Sequence, residues 1–238
     1  MKESKDSAGW GLLYKVSGLI SLLLVLLTAV QLVVFISFPP PLDGTAAEWF
    51  NLFQKNKFIG LLDFEFLMVI YALISIPVSI MLFKSLKHTN QAFALFYLIL
   101  SLVGIALFTV ARPAFEMLFL SNQYASATDE AQKAALLSSG NSLIAMFHGT
   151  AFYVSYILGS ISGLIISVMM LKSNIFSKKT AYFRMASSIF DIGLFIPGIG
   201  TFISIFSVVF LSIFDILIAK RFFQLGRQEL IEVKSIKI

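Results

Sequence analysis

A chain of 238 residues that is 58% hydrophobic, only 13% charged and rich in phenylalanine falls well below the ~25% charged residues of an ordinary soluble domain, and its mean hydropathy is +0.89. An ordinary soluble globular protein is therefore excluded. The 18 Lys and Arg against 13 Asp and Glu leave a net charge of +5, which in a bilayer protein reports orientation and contact with anionic headgroups rather than nucleic acid, and the lack of any cysteine excludes a disulfide framework or a thiolate metal site.

Residues 1–238 are expected to form a single membrane domain, an all-α bundle of six transmembrane helices, because about 20 apolar residues suffice to cross the hydrocarbon core. The first apolar run, 16–38, is too long for a signal-peptide core and has no small-x-small cleavage site before "FPPP", so it reads as a retained anchor. Its one strong polar residue is Gln31. Three prolines then end the helix, and Trp49, Phe50 and Phe53 lie on a short amphipathic stretch expected in the outer headgroup layer. The second run, 58–83, carries Asp63 and Glu65 near its start and Pro77 further on; the missing N–H of Pro77 leaves the Leu73 carbonyl without its helical donor. The third, 91–120, closes on "TVARPAFEML". The segment "SNQYASATDEAQKAALLSSG" has helix formers behind capping residues and predicts a short exposed helix.

The fourth run, 142–171, holds His148 and a stripe of small residues at spacing four, Ala151, Ser155, Gly159, Gly163 and Ser167, which suits close packing of a neighbouring helix. His148 falls on that same packed face. The fifth, 181–196, is short and contains Arg184 and Asp191; the turn "IPGIG" joins it to the last, 199–219, which contains Asp215. With six spans and both termini cytoplasmic, 14 Lys and Arg lie inside and three (Lys55, Lys57 and Lys133) outside. With five spans the two sides become nearly equal, so the positive-inside bias selects six. The expected location is the cell membrane, multi-pass.

Carboxylates inside apolar runs are costly, by ~2.5–3.5 kcal/mol or more at the bilayer centre, and often mark function. Asp63, Glu65, Glu116, Asp191 and Asp215 are such groups, joined by Arg112, Arg184 and His148. Counting residues along each run at ~1.5 Å per residue brings Asp63, Glu65, Glu116, Asp191, Arg112, His148 and Gln31 to the outer half. Arg112 and Glu116, four apart, are expected on the same helix face, with Pro113 between them loosening the backbone by its missing donor. Two readings follow: an interfacial pair closing the third span, or an Arg112 that reaches inward to Glu65, Asp63 or Asp191 and anchors a polar network. No metalloprotease, hydrolase or phosphate-loop motif is present, and histidines are not paired at metal-ligand spacing, so neither cofactor nor metal is expected.

The acidic "LLDFEF", the "ARPAFE" pair, the histidine in "FHGTAF", the glycine-rich fourth run and the connector "KSNIFSKK" together resemble the bacterial integral membrane proteins of the domain of unknown function 4386 family, over about residues 57–224. The resemblance implies a six-helix membrane protein and points to Glu65, Arg112, Glu116 and His148, without implying a reaction. The leading expectation is a polar pocket in the outer half, holding a small or lipid-like ligand, with transport of that ligand as an extension. The alternatives are a structural subunit with a membrane-protein partner or a second copy of itself, and a membrane-embedded enzyme that uses His148.

Overall fold

The computed structural model describes residues 2–235 and contains only helices, with no strand among the described residues. Helix α1 is Lys2–Ser37 and stops just before the three prolines. Short helices follow: α2 (Ala46–Lys55), α3 (Lys57–Asp63), α4 (Phe66–Ile74) and α5 (Ile76–Leu86). Next come α6 (Gln91–Val110), α7 (Ala114–Ser126), α8 (Glu130–Phe147) and α9 (Thr150–Lys172). The chain closes with α10 (Lys178–Ile192), a 3-10 turn at Gly193–Phe195, and α11 (Gly200–Ser235). The starts follow capping chemistry: the side chains of Asn56, Asp129 and Ser177 accept from the first free N–H groups of α3, α8 and α10. At α2, the Thr45 backbone N–H donates to Glu48 Oε2 over 2.7 Å, and with the Thr45 hydroxyl it holds that carboxyl below the usual glutamate range.

Among the described residues, five helical stretches are long and apolar enough to cross a membrane: Ala8–Ser37, Phe66–Leu86, Gln91–Ser126, Glu130–Lys172 and Phe202–Ile231. They correspond to five of the six expected runs. The remaining run, 181–196, is divided between the 15 residues of α10 and the 3-10 turn, shorter than a full crossing. The break between α4 and α5 comes at Ser75, two residues before Pro77, as the missing proline donor requires.

The chain forms two compact units, each assembled from separate segments. One comprises the chain up to Leu26, Ile74–Gly104 and everything from Tyr156. In it α10 packs along α11, Tyr14 Oη and Ser85 Oγ lie 2.9 Å apart, and Ser79 meets Ser101 at 3.0 Å. Gly163 sits where a Cβ would collide with Ser188 Oγ and the Arg184 guanidinium. The stripe of small residues on α9 therefore does make room for a neighbour, α10.

The other unit comprises 27–73 and 105–155. Its core is aromatic: Trp49, Phe50 and Phe53 of α2 are buried with Phe64, Ala114, Met117, Leu136 and Phe147, and Trp49 and Phe147 each approach Phe64 with ring centroids 4.8 Å away. This corrects two expectations. The apolar face of α2 is covered by α3, α7 and α8 rather than by headgroups. The helix expected to be short and exposed is the 18-residue α8, with Leu136, Gly140 and Phe147 buried. Gly140 admits α2, since a Cβ there would lie 2.7 Å from Ala46 Cβ. Polar ties reinforce the packing: Asn141 Oδ1 accepts from Ala46 N–H over 2.9 Å, and Gln54 Nε2 donates to the Ser121 carbonyl over 2.9 Å.

Candidate functional site: an arginine at a helix break

Pro113 has no N–H to donate and disfavours helical geometry in the residue before it. Helix α6 accordingly ends at Val110, and Arg112 lies in the break before α7. Its own N–H turns to the Thr109 carbonyl over 3.2 Å, which deprives the Phe108 carbonyl of its normal i+4 donor. The arginine side chain supplies the substitute: Nη1 donates to Phe108 O over 3.0 Å. Pro113 thus opens the helix and the Arg112 side chain satisfies the carbonyl left behind.

The rest of the guanidinium faces charge and rings. Nε donates to Glu65 Oε2 over 2.6 Å, with the arginine side chain 1% exposed and that of the glutamate 19%. The guanidinium carbon lies 3.2 Å from the Phe108 ring centroid, 5.5 Å from that of Phe152 and 5.8 Å from that of Phe147, a cation over aromatic faces. Nη2 makes no hydrogen bond among the described residues.

Glu65 is itself at a break, between α3 and α4, with φ of +58°. An L-residue there is held at a cost of about 1–3 kcal/mol, and glycine or asparagine is the usual occupant of such a helix-terminating position. A glutamate occupies it because only an acid delivers a counter-charge to Arg112. The last turn of α3, just before this break, carries Asp63 and the Leu62 carbonyl, and Leu62 O accepts from Gln31 Nε2 over 3.0 Å.

Of the two readings of Arg112, the inward one describes the contacts: its acid is Glu65, and the break removes the continuous helix on which Arg112 and Glu116 would share a face. Glu116 is exposed and lines a separate groove of about 470 Å³ with Phe115, Phe119, Leu120, Ser139 and Leu143. His148 caps α8 in another break, before α9. It is exposed rather than on the packed face of α9, with its ring against those of Phe147 and Phe152. Asp63 is completely buried, and neither of its carboxylate oxygens has a hydrogen-bond partner among the described residues. Asp191 belongs to the other unit, where Ser207 and Arg184 attend it. A groove of about 320 Å³ runs beside the residues that flank Arg112 and His148, lined by Val110, Ala111, Ser142, Met146, Gly149 and Thr150 among others.

The chain matches the family described as Domain of unknown function (DUF4386) over residues 12–219. It is a member of the DUF4386 family. No curated protein and no solved structure matches it. In this DUF4386 chain the match takes in all of the residues above, from Gln31 to Asp191. The aromatic shelf under the guanidinium, Phe108, Phe147 and Phe152, escapes sequence reasoning, since 25 phenylalanines give no hint which three face a cation. Gln31 was legible as a polar residue in an apolar run, but not its bond to Leu62.

Proposed function

We propose that this DUF4386 protein is a six-span protein of the cell membrane, both termini cytoplasmic, that binds a small anionic or lipid-like ligand at Arg112 as the recognition step of transport. The observation that carries this reading is the free edge of a buried cation. Arg112 is neutralised through Nε and fastened to the backbone through Nη1, while Nη2 keeps its donors for a planar anion such as a carboxylate or phosphate. Glu65 sets the position of the guanidinium and excludes ligands that would present a second negative charge on its side. The groove beside Ala111 and Gly149, mostly apolar with the hydroxyls of Ser142 and Thr150, suits the body of an amphiphile.

The sixth crossing in this reading is α10 with its 3-10 turn, which packs along α11, and its support is the 14-to-three division of basic residues. Cysteines introduced singly at Ser173 and Gln228, before α10 and late in α11, test it, because the native chain has no cysteine to interfere. The two positions should be labelled from the same side of the membrane. Labelling from opposite sides rejects the topology.

For the ligand, native mass spectrometry of the protein from mild detergent, beside folded Arg112→Ala and Glu65→Gln variants, is the test. A recurrent bound mass in the native protein that both variants lose is the expected result. A specific observation favours a second reading, a structural clasp: the short Nε–Oε2 bond and the three enclosing rings would hold α3, α4, α6 and α7 together without a ligand. Both variants unfolding at lower temperature, with no bound mass in any sample, would select the clasp. Catalysis at His148 has no comparable support, because its side chain makes no hydrogen bond to an acid or base among the described residues.

A further inference from the structure

The break between α3 and α4 concentrates buried acceptors and leaves them without donors. Asp63 is 0% exposed, and its Oδ1 and Oδ2 have no hydrogen-bond partner among the described residues. Gln31 enters the same place from α1: its Nε2 is used on the Leu62 carbonyl, which presents the other end of the amide, Oε1, also buried and without a partner. Phe64, wholly buried, contributes the backbone carbonyl next in this turn, and the N–H groups of Met68 and Val69 both go to Glu65 O. The cation that might have neutralised Asp63 is committed elsewhere, since Arg112 is paired with Glu65.

Three buried side-chain oxygens, one formal negative charge and no donor to any of them among the described residues is an arrangement that stabilises only with a positive guest. A proton on Asp63 supplies a single donor for an excess of acceptors. A small hard cation coordinates several oxygens together, and carbonyls of interrupted helices are known to serve this purpose inside membranes. No three metal-ligating side chains converge among the described residues, and a single carboxylate balances a single charge, so the site suits a monovalent rather than a divalent ion. We propose that Asp63, Gln31 and the Phe64 carbonyl form a sodium-binding site at the α3–α4 break. It is separate from the organic ligand proposed for Arg112 and stands or falls independently of it. Because Glu65 follows two residues after Asp63, the bound ion also fixes the backbone from which the Arg112 partner projects.

The test is thermal unfolding of the full chain in detergent, titrated with NaCl against choline chloride at constant ionic strength. A saturable rise in Tm with Na⁺ is expected, by the linkage that any ligand of the folded state obeys. Asp63→Asn should abolish it, and Gln31→Leu should raise the half-saturating Na⁺ concentration about tenfold, the scale on which losing one supporting group weakens a metal site. The Gln31 variant keeps the test decisive if Asp63→Asn fails to fold. No Na⁺-specific rise in the native protein overturns the proposal, and so does a rise that Asp63→Asn retains or a half-saturation that Gln31→Leu leaves unchanged.

Discussion

In the unit that contains α10 and α11, serine hydroxyls turn back on carbonyls of their own helices, as Ser167 does to Gly163 over 2.6 Å and Ser188 to Arg184 over 3.1 Å. In the unit that contains Arg112, long polar side chains reach carbonyls at interruptions: Arg112 to Phe108, and Gln31 across to Leu62. The first habit accompanies long helices, and α11 runs unbroken for 36 residues, although this unit too is interrupted, at Ser75 before Pro77. The second accompanies breaks at Phe64–Glu65, at Arg112–Pro113 and at His148–Gly149. An interruption frees backbone groups that nothing apolar can satisfy, so charged and amide side chains gather where helices stop. The cluster of ionisable residues that looks functional in this chain is, in the first instance, the chemistry of its breaks.

Substitutions can break that contrast, and the largest effect is expected at the centre of the aromatic core. Phe64→Ala removes the ring that meets Trp49, Phe53 and Phe147 and should cost about 3–5 kcal/mol, read as a fall in unfolding free energy by denaturant titration in mixed micelles. Next comes Glu65→Gln, which leaves a buried guanidinium without its counter-charge; a loss of about 3 kcal/mol is expected. Ser188→Ala, the corresponding change in the unit of self-satisfied hydroxyls, should cost less than about 1 kcal/mol. Equal losses in these two variants would mean that the units do not differ as described. Gly163→Val sharpens the comparison from the other side, because it forces α9 against Arg184 and Ser188 and should cost roughly 1–3 kcal/mol through overpacking, while leaving any Na⁺ response intact. The smallest effect belongs to Ser160→Ala: its Oγ is buried without a partner, so losing the hydroxyl should be neutral or stabilising by up to about 1 kcal/mol.

Much of this was legible in the sequence, for identifiable reasons. Apolar runs of some 20 residues announce helices whatever their surroundings, and five of the stretches coincide with the expected ones. The cost of a charge in an apolar run singled out Arg112 and Glu65, and an inward arginine was one of two stated readings. Three features were hidden. Burial of α2 could not be read, because an amphipathic helix has the same pattern whether its apolar face meets headgroups or Phe64. The break at His148–Gly149 has no proline to announce it, so the expected continuous helix placed His148 on the packed face of α9. Proline did announce the break at Arg112, yet a spacing of four still suggested a shared face with Glu116; spacing carries geometric meaning only on an uninterrupted helix.

Helix α11 has a mechanical consequence. A helix rises ~1.5 Å per residue and about 20 residues span the hydrocarbon core, so its 36 residues exceed one crossing by about 16, or roughly 24 Å. The surplus is helical as far as Ser235 and has no proline, so it behaves as a stiff rod rather than a tether. The far end of α11 is therefore carried with its apolar part as one body, and a tilt of the helix would be read at Gln228 as a displacement that a distance-sensitive fluorophore pair can record.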